Sequence, residues 1–182
     1  MAFSDFHSPP PTLPPLTKYD VFISFNGKDT RNGFTSHLHS ALCRNQIETF
    51  IDYRIEKGGE IWEELVQAMR DSSLYLVIFS ENYASSKWCL RELAEIIQLT
   101  KTTEKGHHRI IPVFYKIEPT HVRKQTGSYY HVFVDYERTL NYELVREWRK
   151  ALFHAANISG FEYNHDHTSI LQCIHIGPTC SC

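Results

Sequence analysis

The chain of 182 residues has few cysteines, little net charge and no long apolar stretch. Of its five cysteines, only Cys43 and Cys89 precede residue 164, and they lie too far apart to indicate a disulfide framework or a zinc site. The formal charge of −2 gives no general attraction to nucleic acid or acidic lipid, although a local basic patch stays open. We therefore expect a protein of the reducing cytoplasm, with the nucleus as a second compartment.

Membrane segments and several familiar catalytic motifs are also missing. The apolar runs, such as Leu74 to Phe79, are far shorter than a membrane span, and no charged segment followed by an apolar one begins the chain. The sequence has no GxxxxGK[ST] loop, GxGxxG fingerprint, GxSxG elbow or HExxH motif. The His and Cys residues after Tyr163 match no compact zinc spacing, so no metal site is predicted.

Composition divides the chain into three parts. Residues 1–18 are rich in proline, which disfavours helix and sheet and is typical of a disordered linker; a ligand for a proline-recognition domain is the alternative. Residues 19–163 form one predicted domain. Residues 164–182 show no long periodic pattern and are predicted to be a frayed tail.

Short apolar runs alternate with segments of helical period between residues 19 and 163, which predicts an α/β fold with a mainly parallel sheet. Each predicted helix has one apolar stripe that can cover a sheet face. Pro112 cannot donate a ladder hydrogen bond, so its strand should lie near a weakly paired edge. The predicted strands are Tyr19 to Phe25, Ile47 to Ile51, Leu74 to Phe79, Ile110 to Tyr115 and Phe161 to Tyr163. The stripes are Phe34, Leu38, Ala41 and Leu42; Ile61, Leu65, Ala68 and Met69; Leu90, Leu93, Ile96 and Ile97; and Val145, Trp148, Leu152 and Ala155.

A parallel open sheet binds ligands outside the carboxyl ends of its strands, where the strand order reverses. In a flavodoxin-like order the first and third strands flank this point. The loops Asn26 to Arg31 and Ser80 to Lys87 should therefore border the site, with Asp52 to Glu60 nearby.

One helix should begin at this site, with Ser85 or Ser86 as its N-cap. Helical spacing then places Trp88, Cys89 and Glu92 side by side. An aromatic plane beside a carboxylate suits a nucleotide. The commoner interpretation of this spacing alone is an ordinary helix, with Trp88 in the core, Glu92 solvated and Cys89 a small buried hydrophobe.

Across Tyr19 to about Tyr163, the sequence closely resembles the TIR (Toll/interleukin-receptor) domains of plant immune receptors and TIR-only proteins. Seven motifs occur in the order that this family shows. They are Tyr19 to Arg31, Phe34 to Leu38, Thr49 to Asp52, Asn82 to Leu93, Ile111 to Tyr115, Val122 to Gly127 and Trp148 to Leu152.

The resemblance implies a flavodoxin-like TIR fold, with about five parallel strands and helices on both faces, and an NAD+ glycohydrolase that acts in plant immune signalling. NAD+ or NADP+ is then the substrate and no separate cofactor is required. The family's catalytic glutamate falls on Glu92. The residues that would shape or line the substrate site are Asn26, Gly27, Asp29, Arg31, Trp88 and Cys89.

The family also implies partners, namely other TIR domains of the same chain or of immune receptors. Ile55, Gly58 and Ile61 match a mobile loop that packs against a neighbouring subunit and completes the site. Ser36 and His37 match a helix-to-helix interface, and Gly160 lies in a second region of self-association. No membrane partner is implied, and the lack of a basic stripe argues against nucleic acid.

Three departures from the family pattern keep other functions open. Asn26 stands where plant members usually carry arginine, and Lys28 replaces an acidic residue. Residues Thr168 to Cys182 do not resemble the family's final amphipathic helix, a difference that a shortened TIR-only product would show. A catalytically weak adaptor or decoy that binds receptor TIR domains is the alternative function. A third is nucleic-acid cleavage to cyclic nucleotides with Cys89 contributing.

Overall fold

The protein was analysed as a computed structural model, which describes residues 17–52, 59–102 and 108–163. This part of the chain has five strands and seven α-helices, with a π-helical segment at Arg31–Thr35 and a 3-10 helix at Tyr83–Ser85. The strands are β1 (Tyr19–Phe25), β2 (Thr49–Ile51), β3 (Ser72–Phe79), β4 (Arg109–Phe114) and β5 (Phe161–Glu162). The helices are α1 (Gly27–Thr30), α2 (Ser36–Arg44), α3 (Gly59–Arg70), α4 (Lys87–Thr102), α5 (Pro119–Lys124), α6 (Ser128–Thr139) and α7 (Tyr142–Ala155). The expectations for the proline-rich start and for the C-terminal tail lie outside the described residues, except for Thr17 and Lys18.

All strand pairs are parallel and the sheet order is β2-β1-β3-β4-β5. This is the flavodoxin-like order, so the predicted fold class is confirmed. The order reverses between β1 and β3, the two strands expected to flank the site.

Alternation along the strands builds two cores, one on each sheet face. In β3, Tyr75, Val77 and Phe79 face one core while Leu74 and Leu76 face the other. Helices α3, α4, α6 and α7 contribute to the first core, and α2 packs on the second. Every described residue of the four predicted apolar stripes is buried, so these helices are confirmed. None of the described helices is both long and apolar enough to cross a membrane.

Pro112 lies in β4, the strand next to the short edge strand β5. Only two residue pairs join these strands. A Cβ added to Gly160, just before β5, would lie 2.2 Å from the carbonyl oxygen of Pro112. Because the N and O atoms of one strand residue point to the same side, the missing proline N–H faces this weakly paired edge, as predicted.

The segment between β4 and α7 holds two helices, α5 and α6, that the sequence analysis did not predict. Pro119 occupies the first turn of α5, where its lack of an N–H costs no hydrogen bond. In α6, Tyr129, Phe133 and Tyr136 are buried at helical spacing. This aromatic stripe was the signal that could have revealed α6.

Candidate functional site

Helix α4 begins directly at the point where the sheet order reverses. Ser86 has extended backbone angles and its hydroxyl accepts a 3.2 Å hydrogen bond from the Cys89 N–H. Of the two predicted N-cap residues, Ser86 therefore caps the helix. This start places Trp88, Cys89 and Glu92 along one cavity wall.

Glu92 is almost completely buried, with 5% of its surface exposed. Ser24 of β1 donates a 2.7 Å hydrogen bond from its hydroxyl to Oε2 of Glu92, and the Trp88 side chain also bonds this carboxyl group. Ser24 can reach Glu92 because it shares with Phe22 the strand face that α4 covers. Sequence analysis missed Ser24, since nothing in a buried run marks one serine as the partner of a distant acid.

Burial raises the pKa of Glu92 to about 8, and repulsion from Asp52 adds to the shift. The hydrogen bonds from Ser24 and Trp88 favour the carboxylate and hold the shift back. Glu92 is thus a carboxyl group that is mostly protonated at neutral pH. Such perturbed groups in clefts are candidates for chemistry.

Tyr83 contacts both Ser24 and the first turn of α4. Its hydroxyl lies 2.9 Å from the Ser24 hydroxyl and donates to the Cys89 carbonyl at 3.1 Å. Burial holds the pKa of Tyr83 well above its usual range, so the phenol stays neutral and keeps its proton. The Ser24 hydroxyl is thereby fixed between a phenol and the Glu92 carboxyl group.

A cavity of about 430 Å³ opens above Glu92, between the carboxyl ends of the strands and the start of α4. Its size suits a nucleotide-sized ligand. Six of the seven predicted catalytic and substrate-binding residues line it, all except Asp29, and so does Asp52. The lining is Ile23, Phe25, Asn26, Gly27, Lys28, Arg31, Asp52, Ser85, Ser86, Trp88, Cys89 and Glu92.

Asp29 instead fastens the two loops at the cavity mouth. Its carboxylate accepts hydrogen bonds from the backbone N–H of Asn82 at 2.8 Å and from its side-chain amide at 2.9 Å. Asn26 joins the same clamp, because its Nδ2 donates to the Asn82 carbonyl at 2.6 Å and its Oδ1 accepts from the Lys28 N–H at 2.9 Å. Both the oxygen and the nitrogen of the Asn26 side-chain amide therefore bond to the backbone of these loops.

Gly27 gives Arg31 its place in the lining. A Cβ added to Gly27 would lie 2.6 Å from Nη2 of Arg31, so the guanidinium group packs against bare backbone. Lys28 and Arg31 are the two cationic side chains of the lining, which also contains the acidic Asp52 and Glu92.

Two side chains, Trp62 and Arg91, support the position of Trp88. Trp62 of α3 meets Trp88 edge to face with ring centroids 5.4 Å apart, and the guanidinium of Arg91 lies 3.8 Å from the Trp62 ring centroid. Sequence analysis did not identify Trp62, because it belongs to a different helix and no sequence spacing links it to Trp88.

Two groups of α6 hold the loop before α4. The hydroxyl of Tyr129 donates to the Ser80 carbonyl at 2.9 Å, and that of Tyr136 contacts the carbonyls of Ala84 and Ser85 at 3.2 and 3.0 Å. The unpredicted helix thus positions a site loop.

Of the residues predicted for assembly, Ser36, His37 and Gly160 are described and are not part of the cavity lining. Ser36 and His37 begin α2, where His37 is exposed and the Ser36 hydroxyl donates to the Arg31 carbonyl. Gly160 precedes β5. Ile61 falls within α3, its side chain being outside the description, and Ile55 and Gly58 lie outside the described residues.

No cluster of three or more His, Cys, Asp or Glu side chains that could hold a metal ion occurs within residues 17–52, 59–102 and 108–163. The cavity lining offers carboxyl groups, two cations, an aromatic ring, the Cys89 thiol and two serine hydroxyls.

Comparisons with known proteins identify the family. The family model for the TIR domain matches residues 18–173. Disease resistance protein RUN1 of Vitis rotundifolia is 46% identical over 151 residues, which cover 83% of this chain and 11% of that protein. TMV resistance protein N of Nicotiana glutinosa is 45% identical over 159 residues, which cover 86% of this chain and 14% of that protein. The chain thus spans only a small part of the length of these relatives.

Solved structures agree with this assignment. The TIR domains in the structure of the activated Roq1 resistosome, which directly recognises the pathogen effector XopQ, match with a TM-score of 0.76 and 42% identity over 86% of this chain and 96% of that chain. The TIR domain of the Toll-related receptor TRR-2 from Hydra magnipapillata, at 18% identity and a TM-score of 0.51, covers 86% of this chain and 98% of its own and shares the fold. The chain belongs to the TIR domain family.

Proposed function

We propose that the chain cleaves the bond between nicotinamide and ribose in NAD+, with Glu92 as the catalytic carboxylate, and that it acts in plant immune signalling by self-association. The observation that carries the proposal is the buried Glu92 carboxyl group, held 2.7 Å from the Ser24 hydroxyl beside a cavity of nucleotide size. Its disease-resistance relatives support the immune role.

Binding of the substrate itself ionises Glu92. The nicotinamide ring of NAD+ carries a positive charge, and an opposite charge nearby stabilises a carboxylate. A carboxyl group with a pKa of about 8 therefore loses its proton when the ring enters the cavity. The resulting ion pair forms in a site of low dielectric, where it is stronger than in water.

Cleavage needs a negative charge beside the ribose and no strong acid. As the bond between ribose C1′ and the nicotinamide nitrogen breaks, its electron pair moves to nicotinamide, which leaves as a neutral molecule. Positive charge develops on the ribose, and the fixed Glu92 carboxylate stabilises that oxocarbenium character. Capture of C1′ by water, which releases a proton to solvent, gives ADP-ribose; capture by a group of the nucleotide or by a second nucleotide gives a cyclic or transferred product.

Other residues of the cavity lining would bind the substrate. Lys28 and Arg31 provide cations for the pyrophosphate, and Trp88 offers an aromatic face to a flat ring. NAD+ and NADP+ share both features and are the two substrates to compare.

Self-association is proposed as the trigger, because the TIR domains of the Roq1 resistosome are seen within an assembly. As the resemblance to the family implies, a neighbouring subunit would complete the substrate site. A dilute monomer is then nearly inactive.

The test follows NAD+ consumption by the full chain, with products resolved by chromatography. We expect the rate per molecule to rise with protein concentration or crowding, and Glu92→Ala to lower it at least about 100-fold. Glu95→Ala, which removes a half-buried carboxylate three residues along the same helix, is the matched control and should keep most activity. Equal loss in both variants, or no turnover in assembled wild-type protein, would refute the proposal.

A second candidate function, that of a TIR adaptor or decoy, is favoured by one observation. Asn26 has no charge, and its amide is occupied by Lys28 and Asn82, so it offers the substrate no cation. An adaptor would still bind receptor TIR domains and signal in plant tissue after Glu92→Ala. Loss of signalling in that variant would exclude this function.

A further inference from the structure

A basic concavity lies away from the Glu92 cavity, where α4, α5 and α7 meet. It encloses about 420 Å³, is shallow, and has no acidic residue in its lining. Arg146, Arg149 and Lys150 lie close together on α7, and Lys101 of α4 and Arg123 of α5 join them from distant positions in the sequence. The lining is Lys101, Arg123, Gln125, Arg146, Arg149, Lys150, Phe153 and His154.

The charge of this hollow is only partly neutralised. Arg149 pairs with Glu137 at 2.8 Å, and Arg146 pairs with Glu143. Lys101 and Lys150 are exposed and have no ion pair with any acidic side chain in the described parts of the chain. A net positive charge therefore remains within one small volume.

One of the cations is held rigidly. Nη1 of Arg149 donates to Oε1 of Gln125 at 3.0 Å, its Nε and Nη2 donate to Glu137, and its guanidinium lies 4.4 Å from the ring centroid of Phe133. One N–H on each terminal nitrogen is left over from these contacts. A guanidinium fixed in this way loses little entropy when it binds a phosphate group.

Gln125 holds Arg149 at a conformational cost. It is buried and lies in the left-handed region, with φ of 49°, where it ends α5. Glycine or asparagine usually fills such a position, because other side chains are strained there. Glycine would relieve the strain but would lose the side-chain bonds to Arg149 and to the Arg123 carbonyl.

We propose that this hollow is a second ligand site, which binds a compact polyphosphate through Lys101, Arg123, Arg149 and Lys150. The cations converge on one small concavity, whose extent fits a short chain of phosphate groups better than an extended polymer. This hollow is lined by residues of two sequence motifs, Val122 to Gly127 and Trp148 to Leu152. Neither motif contributes to the lining of the Glu92 cavity. The site is independent of NAD+ cleavage.

Calorimetric titration of the full chain with inorganic triphosphate at low ionic strength tests the proposal. We expect saturable binding that salt weakens and that Lys150→Glu reduces about tenfold. Lys124→Glu is the matched control, since Lys124 is an exposed cation of α5 outside the lining, and it should retain wild-type affinity. Lys101→Glu is a second lining variant, and thermal melts show that each protein is folded. Equal losses in the Lys150 and Lys124 variants would overturn the site in favour of general surface attraction.

Further variants and ligands sharpen the result. Gln125→Gly should keep or raise the melting temperature and lower the affinity several-fold, whereas unchanged affinity would contradict the role of the fixed Arg149.

Glu92→Ala should bind triphosphate normally; loss of binding in this variant would place the ligand in the Glu92 cavity instead. Nucleoside triphosphates and vesicles containing phosphoinositides distinguish a free nucleotide from a lipid headgroup as the source of the phosphates. Oligonucleotides whose affinity grows with length and exceeds that of triphosphate would overturn the assignment to a compact ligand.

Discussion

The hydroxyl of Ser24 donates a 2.7 Å hydrogen bond to Oε2 of Glu92, which joins β1 to α4 across 68 residues of sequence. This bond favours the ionised form of a carboxyl group that burial keeps protonated. Ser24 is therefore a positioning residue for the proposed reaction, since it tunes Glu92 without facing the cavity.

Ser24→Ala should shift the pH dependence of NAD+ cleavage to higher pH. Loss of the hydrogen bond raises the pKa of Glu92 further, so we expect activity to fall about tenfold at pH near 7 and to recover partly near pH 9. The rate is measured across this range at substrate concentrations well below KM, so that kcat/KM reports the pKa of Glu92 in the free protein. Ser80→Ala is the matched control: Ser80 is as buried as Ser24, but its hydroxyl makes no hydrogen bond within the described part of the chain. Parallel profiles for both variants would show that Ser24 only packs.

Glu92 should destabilise the folded chain as pH rises. Its folded pKa of about 8 lies above the ordinary value of 4.5, so between these values the unfolded chain loses the proton while the folded chain keeps it. This group then lowers the free energy of unfolding by up to about 1.4 kcal/mol per pH unit, and the loss is complete above the folded pKa. Glu92→Gln removes the effect. In urea unfolding, we expect its advantage over wild type to grow from about pH 5 to about pH 8.

Glu95→Gln provides the comparison for this experiment, because Glu95 lies on the same helix and is half-buried. Its unfolding free energy should follow the wild-type pH dependence. A constant difference between Glu92→Gln and wild type at all pH values would mean that Glu92 ionises at the same pH in the folded and unfolded chains.

The sheet and the helices α2, α3, α4 and α7 could be predicted because their signals are local. Apolar runs marked β1 and β3, and the stripe of α4 placed Glu92 at the start of a helix. The contacts that make Glu92 unusual could not be predicted in this way. Ser24 and Trp62 reach the site from other elements, and sequence spacing carries no information about such distant pairs.

The hydrogen-bond partners of polar residues at the cavity mouth could not be predicted from the sequence either. The sequence placed Asp29 and Asn26 in the right loop, but it could not show that both would bond to Asn82, or that only Asn26 would also line the cavity. Short polar side chains have many possible partners, and the choice depends on which loops come together.

Tyr129→Phe should loosen the loop before α4. It removes the donor for the buried Ser80 carbonyl, so we expect a loss of about 1–3 kcal/mol in unfolding free energy and a lower rate of NAD+ cleavage. Tyr130→Phe is the control, since Tyr130 is the next residue in α6 and is 56% exposed. Chemical denaturation measures the free energy of unfolding of both variants. Equal values would contradict a role for the Tyr129 hydroxyl.

Gly27→Ala should weaken substrate binding more than it slows cleavage. The new methyl group would displace the Arg31 guanidinium, whose far end is flexible, so the fold should tolerate the change. We expect KM to rise several-fold with a smaller change in kcat, because the cation serves the pyrophosphate in both ground and transition states. Gly33→Ala is the control, as no described atom lies within 4 Å of a Cβ added there. An unchanged KM for Gly27→Ala would remove Arg31 from the binding site.

Gly160→Ala should destabilise the monomer itself, apart from any effect on assembly. The added Cβ would lie 2.2 Å from the backbone oxygen of Pro112, which cannot swing aside as a side chain can, so β5 must shift away from β4. We expect a loss of about 1–3 kcal/mol in unfolding free energy, measured at protein concentrations where light scattering finds only monomer. If Gly160→Ala instead matches wild type as a monomer and fails only to assemble, Gly160 acts at a subunit interface. If the monomer is destabilised, weaker assembly in this variant is a consequence of the damaged sheet edge.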